Sequence, residues 1–200
     1  MQQPKEYYQA QISRLTILLK KHRQRRNGIT LTKVFLFLLA IYFIYTFANT
    51  GYTPYLIAFI AAIALFIITN IFETKLLKEI QFLHKLEECS RVELEYLAGN
   101  FKNLPTGEEY KDQTHPYAHD LDIFGEDSLF QSVNRTVTPH GREKLREWLL
   151  HPLKSGQPII ERQQAIEEFA REPEWCHVFR AKGNSQRITH MAMQQIEQWQ

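Results

Sequence analysis

The chain has 200 residues, with 24 Lys and Arg against 22 Asp and Glu, for a formal net charge of +2. That length holds one ordinary domain, or a small domain plus an anchor. So balanced a charge gives no bulk electrostatic case for nucleic acid. The two cysteines, Cys89 and Cys176, are too few and too far apart for a disulfide framework or a CxxC site.

Met1 to Arg14 is polar and mixed in charge, which argues against a cleavable signal peptide. Tyr8, Ile12, Leu15 and Leu19 recur at helical spacing and predict an amphipathic, basic helix over 1–30. The sequence leaves open whether it lies on a membrane surface or packs on the soluble part.

No charged residue occurs between Lys33 and Glu73. As one helix that run would be roughly 58 Å long, against a hydrocarbon core of about 30 Å. Its middle, Asn49 to Pro54, is a cluster of turn formers. A transmembrane hairpin over 31–72 is therefore expected, with spans at about Leu31–Ala48 and Tyr55–Phe72. Both arms are apolar on every face, which disfavours buried core helices. Lys20, Lys21, Arg23, Arg25 and Arg26 precede the hairpin, Lys75 and Lys78 follow it, and the turn has no Lys or Arg. This asymmetry predicts a multi-pass protein of a bacterial-type inner or plasma membrane with both termini cytoplasmic. The basic cluster reads as a topology signal touching anionic lipid rather than as a nucleic-acid patch.

Leu76, Ile80, Leu83 and Leu86 carry the second helix onward over 73–101, to a stop at Gly99-Asn100. Residues 102–119 read as a linker, and 120–200 as a helical domain. Asp127 or Ser128 can cap a short helix bearing Leu129, Phe130 and Val133. Thr138-Pro139 starts a helix that His151-Pro152 ends. Pro158 opens another, Trp175, Val178 and Phe179 mark one ending before Gly183, and Ser185 caps a last one bearing Ile188, Met191, Ile196 and Trp199. The expected fold class is all-α.

The stretch from Asp120 to Ala170 resembles the core domain of the MutS family of DNA mismatch repair proteins. The match rests on Asp122, Gly125, Leu129, Asn134-Arg135-Thr136, Thr138 and Gly141, Trp148-Leu149, Pro152 and Arg162-Gln163. With an anchor in front, the chain looks like the membrane-attached MutS-related proteins. The resemblance implies that these residues are architectural. Thr136 and Thr138 would satisfy helix-end amides, Gly141 would admit a neighbouring helix, and Arg135 would bond carbonyls or a carboxylate such as Asp122. It also implies DNA binding through the full-length protein, a homodimer, and an ATPase.

A Gly-x-x-x-x-Gly-Lys-Ser/Thr loop does not occur in the sequence, so ATP and Mg are expected only if an ATPase domain lies C-terminal of Gln200. The chain stops partway through the expected core, which reads as a truncated or split product. Phe124-Gly125-Glu126 superficially matches the family's mismatch probe but sits in the wrong domain. His115, His119, Asp120 and Asp122 have metal-ligating chemistry, yet Pro116 spoils helical spacing, and a structured turn is the better reading. Asn134-Arg135-Thr136 is also a glycosylation sequon, inert on the cytoplasmic side. No catalytic, cofactor or metal residue is assigned. The alternative function is a membrane-anchored helical scaffold or dimerisation module with no DNA role.

Overall fold

The computed structural model of the chain describes residues 4–102 and 104–185. The terminal helix read from Ile188, Met191, Ile196 and Trp199 lies outside them. Every regular element among the described residues is helical: α1 Pro4–Thr50, α2 Thr53–Leu97, a single 3-10 turn Glu108–Tyr110, α3 Leu129–Val133, α4 Pro139–Leu150, α5 Gly156–Arg171 and α6 Pro173–Ser185. The chain divides into two compact units, Ser13–His84 and Met1–Ile12 with Lys85–Gln200.

The first unit is a helical hairpin. Gly51, at φ 65°, ends α1, and its amide donates to Phe47 O at 2.8 Å. Pro54, the second residue of α2, fits the first turn, where a backbone N–H has no helical acceptor. Leu19, Leu76 and Ile80 form the core of this unit, flanked by Ile29 and Leu83. Lys33 Nζ meets Glu73 Oε2 at 2.5 Å and donates to Asn70 Oδ1 at 2.8 Å. Beyond that pair the helices turn outward: Phe35, Leu38, Ile57, Ile60, Ile67 and Ile71 are exposed, while the small residues Ala40 and Ala62 are buried. Both helices are long and apolar enough to cross a membrane. The sequence puts a boundary at residues 30 and 31, but α1 runs through it unbroken. Gly28 faces open space there, and its propensity cost of about 1 kcal/mol is outweighed by the surrounding helix formers.

The second unit is built on Phe130, which has no exposed surface. Ala118, Ile123, Phe124 and Leu150 complete that core, with Tyr110, Tyr117, Leu145 and Leu149 packed around it. The segment read as a linker over 102–119 is therefore part of the core. Tyr110 packs edge-on to Phe124 and Phe130, at 5.6 and 5.7 Å. Tyr117 donates its hydroxyl to Leu149 O and Leu150 O, satisfying carbonyls at the end of α4. Gln131 donates to Phe101 O and Leu104 O and accepts from Asp127 N, sewing the chain after α2 to α3. Composition hid this packing, because the apolar contributors come singly among polar residues.

Ser128, one of the two caps weighed from the sequence, accepts from Gln131 N. Thr138 caps α4 by accepting from Gly141 N, with Pro139 first in the helix. Helix α5 starts at Gly156, so Pro158 sits inside the first turn instead of opening it. Helix α6 runs through Gly183 rather than stopping before it; Val137 lies where a Cβ would stand, so only glycine lets the two approach.

Gly107 is the sharper steric constraint. Its φ is +70°, and a Cβ there would lie 2.7 Å from Phe130 Cδ1. Gly107→Ala combines left-handed strain with core overpacking and is expected to cost about 2–3 kcal/mol. Gly28→Ala meets nothing within 4 Å and should stabilise by up to about 1 kcal/mol. Melting temperatures of the two variants in detergent should move in opposite directions.

Candidate functional site

Glu93 lies on α2 and is only 8% exposed. A carboxylate so shielded needs cationic or hydrogen-bonding partners to stay ionised. It has two. Arg135 donates from Nε to Oε1 at 2.8 Å and from Nη2 to Oε2 at 3.3 Å, the two-pronged geometry that guanidinium planarity favours. Arg180, from α6, also donates to Oε1. Arg135 further donates to Ser132 O at 2.9 Å. Its guanidinium lies 3.1 Å from the centroid of the Tyr96 ring, and the Tyr96 hydroxyl donates to Asn134 O at 2.7 Å. The Asn134 side chain accepts from Thr136 N and from Thr136 Oγ1, at 3.0 and 2.7 Å. The Asn-Arg-Thr turn is thus held by its own side chains and by α2.

A histidine lies beside this cluster. Ser90 donates its hydroxyl to Leu86 O, which leaves Ser90 Oγ to accept from His177 Nε2 at 3.2 Å. Burial, then Arg180, pushes the His177 pKa below its ordinary value, while Glu93 and Glu174 pull the other way. Burial raises the Cys89 thiol and the Tyr96 phenol.

Several motif residues land elsewhere than expected. The carboxylate on Arg135 is Glu93 and not Asp122, which instead adopts a left-handed backbone at φ 46°. Its carbonyl accepts from Leu129 N. Thr136 serves Asn134, not a helix amide, whereas Thr138 does cap α4. Gly141 faces Thr138 Oγ1 and Thr136, not a neighbouring helix. Gly125 has φ 114°, and a Cβ there would meet Lys111. Trp148 is partly exposed and stacks under Arg162 at 4.0 Å, and Leu149 joins the core. Leu129, Pro152 and Gln163 are exposed. Phe124 is buried in the core. The His115 ring accepts from Ala118 N and packs on Tyr117, so it orders the turn after Pro116.

The sequence reading missed Glu93, Arg180, Ser90 and His177. One signal was available. Cys89, Ser90 and Glu93 share a face of α2 with the buried Leu86, so a polar pair falls at positions where the helical spacing calls for core residues.

Residues 108–196 match the family described as MutS domain III. The chain is also similar to proteins named DNA mismatch repair protein MutS. That of Parabacteroides distasonis is 47% identical over 47 residues, covering 24% of this chain and 5% of the relative. That of Phocaeicola vulgatus is 35% identical over 72 residues, covering 34% and 8%. That of Persephonella marina is 48% identical over 46 residues, covering 23% and 5%. The matches thus span less than a tenth of these relatives' lengths. No solved structure matches the chain. Segment 108–196 is thus similar to MutS domain III.

Replacing Glu93 by Gln leaves two shielded guanidiniums without a carboxylate. The expected loss is about 3 kcal/mol, the low end for a broken buried pair because Arg135 remains 33% exposed. Chemical denaturation of the wild type and the variant reads it.

His177 gives a pH prediction. Its folded pKa lies below the unfolded value of 6.5, so the unfolded chain binds more protons. Stability is full above about 6.5 and falls as pH drops from there toward the folded value. His177→Gln keeps a donor for Ser90 but does not titrate, and its melting temperature should fall less between neutral and mildly acidic pH.

Proposed function

We propose that this chain is a membrane-anchored MutS-related protein whose domain III segment works in ATP-dependent handling of DNA. The observation that carries this reading is the domain III match over 108–196. The relatives' name, DNA mismatch repair protein MutS, supplies the link to mismatched DNA. ATP and Mg enter only through an ATPase domain, whose phosphate-binding loop is not among these 200 residues. Homodimerisation is part of the same proposal.

The membrane half rests on the two long apolar helices. From Val34 to the turn at Gly51 the first gives roughly 26 Å of apolar length, and the second gives roughly 30 Å from Thr53 to Phe72. Tyr52 and Tyr55 stand at the turn and Lys33 with Glu73 at the opposite end, as expected of an interfacial aromatic pair and a headgroup-level ion pair. The basic residues on both flanks support a reading with cytoplasmic termini.

The scaffold alternative has its own support. Phe169, Trp175 and Phe179 stack at 5.6 and 5.3 Å, yet each is about half exposed, Trp175 at 52%. Such a patch suits a protein partner.

Two measurements test the proposal. In a Cys89→Ser, Cys176→Ser background in intact cells, Tyr52→Cys should react with an impermeant maleimide, and a cysteine restored at position 176 should not. The reverse pattern, or recovery of the chain in the soluble fraction, overturns the membrane reading. The full chain in uncharged detergent should bind DNA with affinity that falls about tenfold between roughly 50 and 200 mM salt if two phosphates are neutralised. No binding at low salt favours the scaffold.

A further inference from the structure

We propose that a cavity of about 550 Å³ beside the Asn134 to Thr138 turn binds a phosphoryl group carrying two negative charges. Its walls include Lys85, Arg135, Arg142 and Arg180, against a single wall acid, Glu88. Lys85 is paired to Glu88 at 2.7 Å, so those two cancel. Arg135 and Arg180 share one carboxylate, that of Glu93, which leaves one positive charge in excess. Arg142 has no carboxylate partner among the described residues, which adds a second.

The Arg142 side chain carries an independent sign of a missing partner. Its Nε is shielded from solvent and has no hydrogen bond. A shielded donor left without an acceptor is destabilising. Arg146 Nε and His22 Nδ1 are likewise unbonded, but each of those residues has a carboxylate at 3.6 Å. Arg142 alone of the three has neither.

The chemistry that fits is a phosphoryl dianion. Guanidinium forks match phosphate oxygens in pairs, and a charge of minus two closes the local count. The volume falls within the range of small-molecule sites and exceeds what one phosphate fills, leaving room for the group that carries it. A nucleotide's phosphates and two successive diesters of a nucleic-acid backbone both present this chemistry. The site does not depend on the DNA reading above. Phosphoryl binding without DNA binding would keep the site and remove the DNA role.

Titration of the full chain in uncharged detergent with inorganic pyrophosphate tests it. Saturable binding, one per chain, is expected. Arg142→Gln should weaken it roughly tenfold, as loss of a charge-assisted pair requires. Lys85→Gln, on the exposed rim, should weaken it severalfold and decides the matter if Arg142→Gln melts early. Arg171→Gln, whose arginine pairs with Glu167 and does not line the cavity, should bind as wild type. Competition by a short single-stranded oligonucleotide assigns the site to a nucleic-acid backbone, and its absence assigns it to a small phosphoryl ligand. No saturable binding, or undiminished binding in both Arg142→Gln and Lys85→Gln, overturns the proposal. So does binding lost only when Lys20, Lys21, Arg23, Arg25 and Arg26 are neutralised.

Discussion

The carboxylate of Glu93, held 8% exposed between two guanidiniums, is the interaction on which the second unit is organised. Removing a carboxylate from water costs several kcal/mol, and one surface-type ion pair returns at most about 1 kcal/mol. A single partner would not offset that cost; here two arginines share it, helped by the Tyr96 ring beneath Arg135 and by Ser132 O on its remaining nitrogen. Each partner belongs to a different part of the unit. Arg135 comes from the turn before α4, Arg180 from α6, and Tyr96 from α2 itself. The Asn-Arg-Thr turn and α6 are therefore fixed by one charge, and an error in placing any of the three leaves a shielded ion unpaired.

The steric constraints follow from the same convergence. For Arg180 to reach Glu93, α6 must pass close to the turn, and Gly183 against Val137 is where that closeness falls. Gly107 does the same on the other side of the unit, where the chain after α2 crosses Phe130. Neither glycine is needed by a helix or strand pattern, and one lies inside a helix, where glycine is otherwise costly. Gly183 is explained by what packs against it, and Gly107 by its packing together with its positive φ.

This accounts for what the sequence disclosed and what it withheld. The helix starts at Ser128 and Thr138 were legible because a cap is a local event, complete within four residues. The hairpin was legible because an uncharged run of that length has few other uses. The core contribution of Tyr110 and Ala118 was not, since single apolar residues in a polar segment have no period. The partner of Arg135 was not either. Asp122 is near in sequence, but Glu93 lies 42 positions away on a helix that reads as merely amphipathic. Local signals specify elements, whereas a charge network depends on which elements meet, and no spacing rule encodes that.

Charge bookkeeping also links the two units without reference to their arrangement. In the hairpin, Lys33, Asn70 and Glu73 neutralise one another where the apolar stretches begin. An unpaired charge at that level would cost about 3 kcal/mol or more if hydrocarbon lies above it. Under the membrane reading, the exposed isoleucines and phenylalanines beyond the triad face lipid tails, and the buried Ala40 and Ala62 bring the helix backbones close, as small residues do between spans. In water the same exposure would leave a large apolar surface uncovered in one block, which a soluble hairpin has no means to offset. Both units thus give each shielded charge a partner of opposite sign. The exception is the cavity beside the Asn-Arg-Thr turn, where Arg142 finds none and Arg135 and Arg180 divide one carboxylate. A shielded guanidinium nitrogen with no carboxylate partner among the described residues, beside a cavity large enough for a ligand, is the feature that calls for an anion from outside.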